Sequence, residues 1–260
     1  MKDKILSFIR FILIIIIIVC LAILGKRGYD YYINHKNNQH ISNVMEEVEK
    51  DYNKDIKKTA NKSNAETFEQ KEEKAMVVLK KFQEENKDVI GFIEIPQTNI
   101  DYPILQARDN DYYLRQSLDL KYDIAGSIFM DYMNDNKFDD DNSVIYGHYI
   151  QGMESMFTAL KKFRDQDFAK KNRTIYITTN EGLRKYKIFS VYGTPADYDY
   201  RTLAFENNQY KLAYFEKLKD KSDISLKTRD FMEDDTIITL STCQYDYEDQ
   251  RLAIHALRIK

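Results

Sequence analysis

Thr236-Ile237-Ile238-Thr239-Leu240-Ser241-Thr242-Cys243 and Arg251-Leu252-Ala253-Ile254-His255-Ala256-Leu257-Arg258-Ile259 are two runs rich in residues that suit a pleated, half-buried surface. Between them lies the polar, acidic stretch Gln244 to Gln250, so they read as two strands joined by a solvent-facing connection. Cys243 closes an apolar pattern at the point where the chain turns outward, and Arg251 opens the next. Structural cysteines usually sit inside such a pattern, which makes Cys243 a candidate for chemistry.

Working outward, the same grammar recurs at 89–95, 100–105, 126–130, 143–146, 174–179 and 186–192, with Pro96 and Asn99 marking one connection. About eight short strands predict a closed or nearly closed barrel, a mostly β fold. Two helical patterns interrupt them. Met153, Met156, Phe157, Leu160 and Phe163 form one; Tyr210, Ala213, Tyr214 and Leu218, with Leu212 and Phe215 alongside, form the other.

Before the first strand the chain is helical and, at its start, apolar. Phe11 to Leu24 is an unbroken apolar run, which with residues 5–10 reaches the roughly 20 residues that cross about 30 Å of hydrocarbon. It is read as a retained anchor; no small-x-small cleavage site follows it, and Val19 is too bulky for a lipobox at Cys20. Lys2, Lys4 and Arg10 before the run and Lys26 and Arg27 after it favour a cytoplasmic N-terminus only slightly. Ile41, Val44, Met45, Val48, Tyr52 and Ile56 then recur at helical spacing and read as a stalk. Ser63 with Glu66 resembles a capping box opening a helix that carries Phe68, Ala75, Met76, Leu79 and Phe82 on one face. The expected division is 1–28 for the cytoplasmic end and anchor, 29–66 for a juxtamembrane stalk or linker, and 67–260 for one catalytic domain, with its helix at 67–86 and its barrel at 89–260.

Composition excludes some functions. A net charge of -3 gives no bulk attraction to nucleic acid, and two distant cysteines cannot make a zinc site. The twenty tyrosines, with no tryptophan, suit strands better than they argue for sugar stacking. Asp135, Asp139, Asp140 and Asp141 crowd the run from Asp131 to Asp141, but Lys137 falls where a calcium loop needs an oxygen ligand; a solvated surface loop is expected, and no metal.

A thiol needs a base or cation nearby to be nucleophilic near neutral pH. His35 and His40 lie near the anchor. His255 shares a strand face with Arg251, whereas His148 follows an apolar strand ending in Gly147 and so leaves its strand as Cys243 does. His148 is the better partner, with a purely structural role as its rival. Arg251 has two readings: a guanidinium for an oxyanion, or a surface ion pair with Glu248 or Asp249, which spacing alone favours. Outside a cell, Cys243 has no intramolecular partner, and is either reactive or an intermolecular link.

Thr239-Leu240-Ser241-Thr242-Cys243 followed by Arg251, with Tyr146-Gly147-His148 about a hundred residues upstream, resembles the sortases, membrane-anchored transpeptidases of Gram-positive cell surfaces. The order His, Cys, Arg matches theirs. The likeness extends through Gly91-Phe92-Ile93-Glu94-Ile95-Pro96, Asn99-Ile100-Asp101-Tyr102-Pro103-Ile104, Gly126-Ser127-Ile128-Phe129 and Met156-Phe157-x-x-Leu160, and so covers roughly residues 88 to 260. Helices before the barrel and a helical insertion at 205–221 ahead of the cysteine strand are similar to class B.

The resemblance implies an eight-stranded sortase-type β-barrel with N-terminal helices, that helical insertion and one transmembrane helix. It implies Cys243 as nucleophile, His148 as acid and base, and Arg251 as oxyanion and backbone binder, with Ser241 and Thr242 lining the substrate cleft. The implied substrates are a secreted protein bearing a C-terminal Asn-Pro-x-Thr-like pentapeptide, cleaved after Thr through a thioacyl enzyme, and a peptidoglycan precursor amine. The remaining implications are anchoring of that protein to the cell wall, a bilayer partner for the N-terminal helix, an extracellular catalytic domain on a single-pass anchor, and no cofactor. Alternatives are a cysteine hydrolase using the same residues and a non-catalytic anchored surface protein.

Overall fold

Short strands escape exposed edges by closing on themselves. In the computed structural model, which describes residues 2–56, 66–243 and 250–260, eight strands do so. They are β1 (Val89–Ile95), β2 (Ile100–Leu105), β3 (Ile128–Met130), β4 (Asn142–Tyr146), β5 (Thr174–Thr179), β6 (Gly182–Pro195), β7 (Ile237–Cys243) and β8 (Gln250–Arg258). The closed order is β1-β2-β3-β4-β7-β8-β6-β5, antiparallel except for the parallel pairs β2 with β3 and β4 with β7. Ile93, Ile104, Ile177, Leu240 and Ile254 are fully buried in one core cluster.

Helix α1 (Lys2–Ile56) is unbroken and crosses position 28 without a joint. Its apolar start is exposed from Ile5 to Leu24 and is long and apolar enough to cross a membrane. Further along, Ile41, Val44 and Val48 are buried in the main core cluster, so this part of the helix is packed on the domain rather than standing free as a stalk. An apolar stripe at helical spacing has to be covered, and α2 (Phe68–Glu85) helps to cover it with Val78, Leu79 and Phe82 buried in the same cluster. Lys81 to Glu47 at 2.8 Å and Tyr52 to Glu73 at 3.1 Å tie the two helices side by side. A capping box at the start of α2 is made by Thr67 with Gln70; Ser63, of the expected pair with Glu66, lies outside the described residues.

Two other segments depart from the sequence pattern. The expected helix near 153–163 is a 3-10 segment, Met156–Arg164: Phe157, Leu160 and Phe163 recur every third residue, stack on one face of a 3-10 turn, and are all fully buried. A short α3 (Gln166–Lys171) follows it, capped by Asp165. Helix α4 (Asn208–Asp220) is rotated so that Tyr210 is exposed, while Tyr214, Phe215 and Leu218 pack on Phe189, Tyr192 and Ala253 outside the barrel. The acidic run is a surface loop, exposed at Asp135, Lys137 and Asp139, but it is pinned to the domain at several points. Phe138 is buried, Arg184 donates to its carbonyl and pairs with Asp139 at 3.1 Å, and Lys211 pairs with Asp141 at 3.0 Å.

Candidate active site

The parallel pair β4 with β7 sets the relative positions of the expected site residues. Tyr146 on β4 lies opposite Ser241 on β7, and Gly147 N–H donates to the Ser241 carbonyl at 3.2 Å. His148 and Cys243 each come two residues after that pair, so both chains carry them off the same rim. Across the other side of β7, the antiparallel register sets Cys243 opposite Arg251. With neighbouring strands about 4.8 Å apart, the backbones of these three residues gather within roughly 10 Å.

Gly147 is required by close packing: a Cβ there would stand 2.7 Å from the Phe157 ring. Phe157 N–H in turn donates to the His148 carbonyl at 3.0 Å, so the buried 3-10 segment holds the histidine backbone from behind. The half-buried imidazole places Nε2 2.9 Å from the Leu114 carbonyl and 3.0 Å from Nη1 of Arg115. The carbonyl can only accept and the guanidinium can only donate, so the two contacts favour opposite protonation of Nε2. Arg115 also donates to the Ile124 carbonyl.

Burial, then the charge of Arg115, and then that of Arg251 push His148 below its ordinary value, against the Leu114 carbonyl and Asp123. These influences favour the neutral imidazole, the form that can take a proton. Removing the Arg115 charge by Arg115→Gln is expected to raise the His148 pKa. The acid limb of the kcat/KM profile should then move to higher pH, and proton NMR of the imidazole should move with it. An unmoved limb would detach Arg115 from the site.

Arg251 is half-buried, and its Nη1 donates to the Gln250 carbonyl at 3.3 Å. Its expected ion-pair rivals, Glu248 and Asp249, lie outside the described residues. Ser241 and Thr242 are buried, and the Ser241 hydroxyl is 2.9 Å from that of Tyr200. Thr242 Oγ1 has no hydrogen-bond partner among the described residues.

His255 sits elsewhere. It lies opposite Thr239, four residues back along β7 from Cys243 and so about 13 Å along the strand. Its Nδ1 is 2.9 Å from Thr239 Oγ1 and its Nε2 is 2.9 Å from the Tyr192 hydroxyl; it is fully buried, and burial lowers its pKa to about 3. Below the unfolded value near 6.5 the unfolded chain binds a proton that the folded chain refuses. Stability is then expected to fall by about 1.4 kcal/mol per pH unit until the folded value is reached. His255→Gln, which preserves hydrogen bonding but cannot titrate, should flatten that part of a denaturation-against-pH curve.

Arg115, Leu114 and Asp123 were not found from the sequence, since they sit in an irregular segment with no period to point at them. Asp123 is reached by Asn37 at 2.8 Å and by Asn34 at 3.4 Å, so α1 supports the loop that contacts His148.

A family profile for the Sortase domain matches residues 93–259. Sortase B of Listeria monocytogenes is 37% identical over 221 residues, covering 84% of each chain. The structure of sortase B from Bacillus anthracis in complex with AAEK1 superposes with a TM-score of 0.69 at 35% identity, over 89% of this chain and 98% of that one. A Staphylococcus aureus sortase B-substrate complex gives a TM-score of 0.67 at 31% identity, over 72% of this chain and 86% of that one. A match that runs from the first strand of the barrel to the last, with class B relatives similar over most of their length, means that this chain belongs to the sortase family and is a sortase cysteine transpeptidase.

Proposed function

We propose that this transpeptidase cleaves a C-terminal sorting pentapeptide of secreted proteins after its threonine and joins the new carboxyl end to a peptidoglycan amine, anchoring the protein to the cell wall. The observation that carries the reading is the register that gathers residues 148, 243 and 251 on one rim of the barrel. The substrate-bound S. aureus relative supports it by similarity. The apolar start of α1 would hold the barrel outside the cell, where both substrates arrive.

In this reading the neutral His148 takes the Cys243 proton as sulfur attacks the threonine carbonyl. A C–S bond forms, the peptide C–N bond breaks, and the imidazolium returns its proton to the departing amine. The acceptor amine then attacks the thioester while His148 removes its extra proton, the C–S bond breaks, and the thiol is restored. Arg251 steadies the oxyanion of both steps with a permanent charge. Ser241 and Thr242 complete the cleft through the strand that carries them, since their hydroxyls point into packed surroundings.

Arg251→Ala is expected to lower kcat by about 10²–10³-fold, with Arg251→Lys recovering part of the loss, because lysine keeps the charge but not the planar fork. The function is tested by incubating the full chain with Asn-Pro-x-Thr-type peptides and added amines. Peptide joined to amine is the expected product. Free acid alone, at every amine concentration, would instead identify a hydrolase.

A further inference from the structure

Because α1 is one unbroken helix, the height of each residue above the apolar run is set at about 1.5 Å per position. Leu24 ends the run, and Lys26, Arg27 and the exposed Tyr29, Tyr31 and Tyr32 follow, the residue types that settle at a membrane–water interface. Arg27 to Tyr31 therefore stand about 5–10 Å beyond the hydrocarbon edge, in or just above the headgroup layer.

The catalytic domain reaches down to the same level. Arg27, Asp30 and Tyr31 form one wall of an open groove of about 780 Å³, whose other wall is Ile124 and the turn 150–153. That turn follows His148 directly, and the Ile124 carbonyl accepts from Arg115, which touches the His148 ring. The barrel is also fixed against the helix. Asn37 donates to Asp123, and the Tyr102 hydroxyl donates to Asn38 at 2.8 Å, so the domain cannot swing about the anchor without breaking these contacts.

We infer that this groove seats the phospholipid headgroups of the leaflet from which α1 emerges, so that the barrel docks on the bilayer by its His148 side. Arg27 supplies a cation for the phosphates, the tyrosines anchor the helix at their level, and the turn at Gln151 and Gly152, both exposed, meets the surface. A lipid-linked acceptor would then meet the catalytic histidine at the membrane surface. The inference rests on the reading of α1 as a membrane anchor.

The chain has no tryptophan, so single tryptophans report depth without background. The full-length chain would be placed in phosphatidylcholine vesicles whose lipids carry bromine near the headgroup end of the acyl chains. Three variants would be compared: Tyr29→Trp on the helix, Gln151→Trp on the turn, and Phe68→Trp. The last is at the far end of α2, beyond the level of Tyr52, which is about 42 Å along the helix from Leu24. Docking predicts that Gln151→Trp shows about half or more of the quenching seen at Tyr29→Trp, while Phe68→Trp is unquenched. Quenching at Tyr29→Trp without quenching at Gln151→Trp would overturn the docking and leave the anchor standing. No quenching at Tyr29→Trp would remove the anchor and the docking together, and equal quenching at all three positions would contradict a fixed orientation.

Discussion

Cys243→Ala is expected to abolish transfer of a sorting peptide to an amine, a loss of at least about 10⁴-fold, because in the proposed mechanism its sulfur forms the acyl intermediate. The fold should persist. Cys243 is held by the ladder of β7 with β8, a backbone interaction that alanine preserves, so the change in unfolding free energy should stay within about 1 kcal/mol. Thermal melting and the transfer assay on one preparation separate the two effects. Residual transfer within tenfold of the parent would remove Cys243 from the nucleophile's role, whatever the stability.

His148→Ala is expected to have the next largest effect, a fall in kcat/KM of about 10²–10⁴-fold, because in the proposed mechanism one imidazole serves the attacking thiol, the departing amine and the incoming amine. The pH profile gives a sharper readout than the rate alone. In the parent, burial and the two neighbouring guanidiniums keep the His148 pKa below its usual range, so the acid limb lies below the ordinary imidazole value. In His148→Ala that limb should disappear, and added imidazole should restore part of the rate. His148→Gln separates proton transfer from packing, since its amide can still donate to the Leu114 carbonyl while being unable to titrate. If the acid limb survives either substitution, some other group is responsible for it.

The strands were legible because each carries its own signal: a few β-branched and aromatic residues bounded by glycine, proline or polar residues. The proposed trio, His148, Cys243 and Arg251, rests on motif and resemblance. The pairing that unites it was not legible. Asn142 of β4 lies opposite Ile237 of β7, and nothing in local periodicity records a partner so distant in the chain. The same holds for Asp123, which receives hydrogen bonds from Asn34 and Asn37 far upstream, and for Arg115, an exposed cation that the fold sets beside His148. The stripe Ile41, Val44 and Val48 was visible as apolar and helical, yet periodicity says only that a face must be covered, not by what. Such a face fits a stalk equally well; here the barrel and α2 cover it. Over the nine residues from Met156 to Arg164, period three and period 3.6 leave nearly the same apolar pattern, so the sequence does not separate a 3-10 from an α segment.

The central claim is that Cys243 becomes acylated and then surrenders the acyl group to an amine. Mass spectrometry of the intact chain mixed with a sorting peptide tests it most directly. The account predicts an added mass equal to the peptide portion up to its threonine, mapped to Cys243, chased away by an added amine and absent in Cys243→Ala. Peptide cleavage that proceeds at full rate with no such adduct, or with the adduct on another residue, would contradict it.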